Sequence, residues 1–339
     1  MRKITIPGTD VVTSALGLGC ADLYREPTAS RRRLLLDVAH DAGIRHFDVA
    51  PMYGLGLAER ELGRFARGRR DHIVIATKFG IAPTAISRAI GRVQGPARRL
   101  MTAFPSLRQR ARATAAGPST GAAGATLYRA MGFDAKAARS SLERSLRELG
   151  TDHVDVLLLH DPQPHDVFSD DVCGYLEEAH RAGLIRAWGV AGEPEATLDV
   201  AEAMPVPAPV VQVRHDLLLD ASTRRRCALF AGRITFGVLG RTLDAVVRHV
   251  AADAERGQRW REAVGTDCAD RETAARLMLR QAARDNPSGV VLFSSIRPHH
   301  VSSGVRAVEQ AEPDDESLDA FIGLVRAELD GSRALEDNH

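Results

Sequence analysis

Cysteine is scarce in this 339-residue chain, and the four that occur stand far apart. Cys20, Cys173, Cys227 and Cys268 form no CxxC pair and have no histidine at zinc-ligand spacing, which speaks against a structural metal and against a disulfide framework. Long apolar runs are missing: none reaches the roughly 18 residues that a membrane-crossing helix needs. The first ten residues, MRKITIPGTD, carry two basic side chains with no apolar run behind them, so no secretory signal is expected and the expected location is cytoplasmic. An excess of either charge is lacking too. Lys+Arg 45 against Asp+Glu 44 leaves no general attraction toward nucleic acid or an anionic membrane, and neither is expected as a partner.

What is present is an alternation of short β-branched runs with longer amphipathic stretches. Strands are expected at 14–19, 44–48, 72–77, 154–159, 185–190, 209–213, 233–238 and 289–293. Several are almost continuously apolar, as strands buried on both faces should be. Helices are expected at 31–43, 57–68, 134–150, 171–182, 194–203, 221–231, 271–285 and 298–310. Asp134 reads as an N-cap, and Gly43 and Gly150 as stops. Strict alternation implies parallel strands with right-handed crossovers, in a closed barrel or a doubly wound sheet.

Two segments break the repeat. Residues 82–131 contain no Asp or Glu but hold Arg88, Arg92, Arg98, Arg99, Arg108, Arg110, Arg112 and Arg129, and their second half is rich in Ala, Gly and Ser. This composition predicts a flexible basic insert, a lid or a plain surface loop, leaning toward an anionic substrate. Residues 312–339 start acidic and then become amphipathic, which predicts an outer helix and a frayed end. The expected organisation is one unit over 1–311, insert included, followed by a C-terminal helix and tail over 312–339.

Chemistry-bearing residues gather at the ends of strands two to four. Asp48 ends the second, Tyr53 follows in a loop held by Pro51, Gly54 and Gly56, Lys78 closes the third, and His160 closes the fourth. Each alone also fits a structural role. Together they occupy the face of a parallel α/β fold where active sites lie. A lysine ending an apolar strand needs a carboxylate, and Asp48 is the available one. Its charge is expected to lower the tyrosine pKa, so that Tyr53 passes a proton to or from a substrate oxygen oriented by His160. Such a group has no nucleophile and no metal, so hydride must come from a bound cofactor.

With FDVAPMYG, ATKFG, VLLLH and GLIRAWGV in that order, residues 10–311 resemble the aldo-keto reductases, and 47–63 is similar to the bacterial aldose and L-fucose dehydrogenase branch. The resemblance implies a (β/α)8 barrel, with 1–12 as a hairpin closing its bottom. It implies NADP, or NAD, as cofactor, and Asp48, Tyr53, Lys78 and His160 as the catalytic set. It also implies cofactor contacts from Gly19 and Cys20, from Gln212 to the carboxamide, from Phe236 to the nicotinamide face, from Gly237, Leu239 and Gly240 to the pyrophosphate, and from Ser295 and Arg297 to a 2′-phosphate. The implied activity interconverts a carbonyl and an alcohol on a small or sugar-like substrate. The chain departs from the family at Ala191-Gly192, where Ser-Asn is usual, and at Ser303-Gly304, where Glu-Asn holds adenine. These departures keep a second expectation open, proton-transfer chemistry such as elimination or isomerisation with no net redox.

Overall fold

Strands buried on both faces need near-unbroken apolar runs, and the eight such runs close into a parallel barrel. The structure is a computed structural model and describes residues 1–91, 127–164, 166, 170–310 and 314–329. In chain order come β1 (Lys3–Thr5), β2 (Val12–Ser14), β3 (Leu16–Gly19), α1 (Ala29–Asp41), β4 (His46–Asp48), α2 (Ala58–Ala66), β5 (Val74–Phe79), β6 (Ile81–Pro83) and β7 (Tyr128–Ala130). There follow α3 (Ala135–Leu149), β8 (Val154–His160), α4 (Asp170–Arg181), β9 (Ile185–Gly192), α5 (Pro194–Ala203), β10 (Val210–Arg214), α6 (Ala221–Leu229) and β11 (Arg233–Phe236). The chain then forms α7 (Gly240–Ala251), α8 (Ala254–Val264), α9 (Arg271–Asp285), β12 (Val290–Phe293), α10 (Pro298–Glu309) and α11 (Asp315–Leu329). The barrel order is β3-β4-β5-β8-β9-β10-β11-β12, closing back on β3.

Side chains alternate across each strand, and the alternation sorts two cores. Phe47, Ile75, Leu157, Leu159, Trp188, Val190 and Val213 face outward and merge with the buried helix faces. Val74, Ala76, Val156, Leu158, Ala187, Val210, Ile234, Val290 and Leu292 form a separate cluster, the barrel interior. The β1–β2 hairpin adds Ile6 and Val11 to that cluster and plugs the bottom, as expected for 1–12.

Two features differ from the sequence reading. Both flanks of the basic insert are structured: Ile81 pairs with Ala130 and Pro83 with Tyr128 in a two-stranded ribbon, because three alternating positions suffice where a second strand comes alongside. Arg92, Arg98, Arg99, Arg108, Arg110 and Arg112, and the Ala/Gly/Ser-rich stretch, lie outside the described residues. Second, α7 and α8 stand between β11 and α9, where no helix was expected. The outer C-terminal helix is present as expected and is bound into the helical layer: Leu318, Phe321, Ile322 and Val325 are buried, and the Phe321 ring meets Trp260 of α8 edge-on at 6.1 Å. Residues 330–339 lie outside the described residues. Among the described residues no helix is long and apolar enough to cross a membrane.

Candidate active site

Inward parity continues to the C-terminal ends of the strands. Gly19, Asp48, Lys78, His160, Ala191, Gln212 and Phe236, each the last or nearly the last inward position of its strand, line one pocket of about 410 Å³, together with Tyr53 and Asp161. Tyr53 arrives from a short 3-10 turn, Tyr53–Leu55, bent by left-handed Gly54 and Gly56.

Lys78 Nζ donates to both Asp48 oxygens, at 2.7 and 2.8 Å, and to the carbonyl of Val49 at 3.3 Å. Burial opposes the ammonium, yet Asp48 and the Tyr53 phenol hold its pKa above the ordinary lysine value. Nζ lies 5.0 Å from the Tyr53 ring centroid, and the ring meets His160 edge-on at 6.1 Å. The phenol departs from expectation. Its pKa is raised, because burial outweighs the lowering by Lys78, whose charge is largely answered by Asp48. His160 is a neutral imidazole: burial and the Lys78 charge push its pKa down to about 3, and its Nδ1 has no partner among the described residues.

Gln212 Nε2 donates to Asp48 Oδ2 at 3.1 Å, whereas Gln212 Oε1 is buried without a partner among the described residues. A buried acceptor left empty is costly, and a primary amide donor fits it. Phe236, Gly237, Leu239 and Gly240 line the same wall, with Gly237 and Gly240 at φ 72° and 33° and Leu239 as the N-cap of α7. Left-handed glycines before a helix N-terminus expose backbone N–H groups in the way that a phosphate accepts. These residues therefore fit a nicotinamide dinucleotide. Arg214, paired to Glu193 at 2.8 Å, stands 5.4 Å from the Phe236 ring centroid beside them.

Not every expected residue reaches the pocket. Cys20 is buried beside it, its thiol pushed up by burial, and its backbone N–H donates to the Asp48 carbonyl. Ser295 and Arg297 lie beyond the pocket at the start of α10, where Ser295 Oγ accepts from Arg297 N at 3.1 Å. The Arg297 side chain has no carboxylate partner among the described residues. Ser303 and Gly304 are buried in α10, and a Cβ on Gly304 would stand 3.2 Å from Leu279 of α9, so Gly304 lets the two helices pack closely. Asp161, Glu193 and Arg214 went unnoticed in the sequence. The first two directly follow strand ends and Arg214 closes one, which was the available signal. Among the described residues no cluster of His, Cys, Asp and Glu could hold a metal ion.

A family model described as the aldo/keto reductase family matches residues 15–230. D-threo-aldose 1-dehydrogenase of Pseudomonas sp. is 32% identical over 182 residues, 52% of this chain and 49% of that protein. Pyridoxal 4-dehydrogenase of Microbacterium luteolum is 38% identical over 99 residues, 28% of each. The chain thus spans about half the length of the first relative and less of the second. An aldo-keto reductase from Bacillus halodurans superposes with a TM-score of 0.67 at 21% identity, covering 96% of both chains. A glycerol dehydrogenase from Gluconobacter oxydans gives 0.66 at 19%, covering 97% of this chain and 96% of that one. Both likenesses show the (β/α)8 fold.

Proposed function

The chain belongs to the aldo/keto reductase family, and from that premise we propose that it is an NAD(P)(H)-dependent oxidoreductase interconverting a carbonyl and an alcohol. The observation that carries this is the buried Asp48–Lys78 pair set against Tyr53 and His160 on the floor of a pocket whose other wall holds the unpartnered Gln212 Oε1. When bound, the cofactor supplies or accepts hydride at the substrate carbon. His160, neutral and fixed at a strand end, donates a hydrogen bond to the substrate oxygen and orients it. Tyr53 gives that oxygen its proton in reduction and takes it back in oxidation. Burial holds the phenol protonated, and Lys78 stabilises the phenolate as it forms, so the ammonium acts where charge develops. Asp48 keeps Lys78 charged and in place.

Gln212 would hold the carboxamide and Phe236 the nicotinamide face. Backbone N–H groups around Gly237, Leu239 and Gly240 would hold the pyrophosphate. Arg297, without a carboxylate partner among the described residues, favours NADP(H), since a guanidinium matches a 2′-phosphate. Two relatives are named for oxidising an aldose and pyridoxal, and a small hydroxylated aldehyde or sugar is the proposed substrate class. Proton-transfer chemistry without redox rested on the departures at Ala191-Gly192 and at Ser303-Gly304; Gln212 Oε1, without a partner among the described residues, supports a carboxamide site despite the first.

The test is a fluorescence titration of cofactor-stripped protein with NADPH and with NADH. Saturable binding in the micromolar range, tighter for NADPH, is expected. Absence of binding by either would overturn the oxidoreductase reading.

A further inference from the structure

Asp161 follows His160 at the mouth of the barrel, and four observations set it apart. Its backbone is left-handed at φ 52°, a conformation that non-glycine residues seldom hold and that Asp tolerates better than most. The conformation is pinned from both sides, since Asp161 N donates to the carbonyl of Ala191 at 2.7 Å and Gln163 Nε2 donates to the Asp161 carbonyl at 3.2 Å. The carboxylate lines the pocket, with Oδ2 3.8 Å from His160 Nε2. Among the described residues no protein group donates a hydrogen bond to it.

The last point is unusual for a carboxyl that is only half exposed. The other acid on this rim, Glu193, is engaged by Arg214 through two hydrogen bonds of 2.9 Å. Asp161 has no such partner, and burial together with the Glu193 charge raises its pKa, which makes its carboxylate a stronger acceptor. The neighbouring strand end has been cleared for it. A Cβ on Gly192 would stand 2.6 Å from Asp161 Oδ1 and 2.8 Å from Thr197 Oγ1. Gly192, where the chain departs from the family pattern, thus leaves the Asp161 carboxylate room in its observed position.

We propose that Asp161 is a specificity-determining residue that accepts a hydrogen bond from a hydroxyl on the carbon next to the reacting one, so that the site selects α-hydroxy carbonyls and vicinal diols. The inference rests on the oxidoreductase reading above and narrows its substrate. If His160 holds the reacting oxygen, the oxygen on the neighbouring carbon falls about one hydrogen-bond length away. The 3.8 Å between His160 Nε2 and Asp161 Oδ2 lets two such oxygens each take one partner. The reacting oxygen meets a donor. Its neighbour carries a proton and meets an acceptor. A substrate lacking that hydroxyl covers the half-exposed carboxylate without replacing the water hydrogen bonds it displaces, which penalises it.

The test compares 2-hydroxypropanal with propanal, which differ only in that hydroxyl, in the wild type and in Asp161→Ala with NADPH supplied. The wild type is expected to favour 2-hydroxypropanal in kcat/KM by about thirtyfold, the range of a hydrogen bond to a charged group. In Asp161→Ala the ratio should collapse toward one, through a rise in KM for 2-hydroxypropanal and at most a small loss on propanal. Asp161→Asn, which keeps the size and the tolerance of the left-handed backbone, should fall between. Equal losses on both aldehydes would mean that Asp161 only positions His160 and would overturn the proposal, as would a wild type without preference. A second readout does not depend on turnover: saturation-transfer NMR should detect 1,2-propanediol but not 1-propanol on the wild type, and lose the diol in Asp161→Ala. If the wild type reduced neither aldehyde, the oxidoreductase reading would fail by itself. The diol arm would then decide Asp161 alone, with unchanged transfer in the variant overturning it.

Discussion

An ammonium buried as deeply as that of Lys78, 2% exposed, is tolerable only beside a carboxylate that answers it with both oxygens. Lys78→Met strands the Asp48 charge with Gln212 as its remaining side-chain donor. Urea unfolding should show a loss of about 3–5 kcal/mol, the cost of breaking a buried pair by removing one partner. Adding Asp48→Asn should restore much of it, because the uncompensated charge goes too; a single variant that unfolds at the wild-type midpoint would contradict the coupling. At this scale much of the site was legible. Asp48, Lys78 and His160 each ended an apolar run, and inward parity did the rest. The direction of the Tyr53 shift was not legible, because spacing reveals a neighbouring charge but not the depth of burial. Asp161 was overlooked because nothing in VLLLHDP announces a left-handed backbone.

Elements explain how strand ends come to be held in register. α2 and the end of α3 approach so closely that a Cβ on Gly63 would lie 2.2 Å from the carbonyl oxygen of Leu149. Gly63→Ala must push the two helices apart, which should cost about 1–3 kcal/mol in thermal unfolding while leaving NADPH affinity within a fewfold of wild type. An unchanged melting temperature would show that the contact yields freely. The eight strands were legible because a strand covered on both faces has to be apolar throughout. α7 carried a usable signal in Leu243, Val246 and Val250 at helical spacing. α8 did not: it buries only Trp260 and Val264, and Gly257 interrupts its middle. The β6–β7 ribbon was hidden because its two three-residue strands are separated by the insert.

For the molecule as a whole, the barrel encloses two histidines in neutral form. Burial and the Lys78 charge depress both His46 and His160 to about 3, and neither nitrogen of His46 has a partner among the described residues. Unfolded histidine takes up a proton near 6.5 whereas the folded groups do not, so the unfolded state binds more protons between those values. Stability is therefore full above about pH 6.5 and falls with acidification toward 3, approaching about 1.4 kcal/mol per pH unit for each histidine. Urea unfolding at several pH values between 7.5 and 5.5, before most carboxylates titrate, should show this loss. His46→Leu should have a shallower slope there, and identical slopes would mean that His46 already has its proton or never takes one up.

The central claim is that Tyr53 is the proton donor to a carbonyl reduced by hydride from a bound dinucleotide. The most direct measurement sets Tyr53→Phe beside the wild type, with NADPH affinity read by fluorescence and carbonyl reduction by loss of NADPH absorbance. The account predicts binding within a fewfold of wild type and turnover lower by about a hundredfold or more, the typical contribution of a positioned general acid. Near-normal turnover by the phenylalanine variant would contradict it.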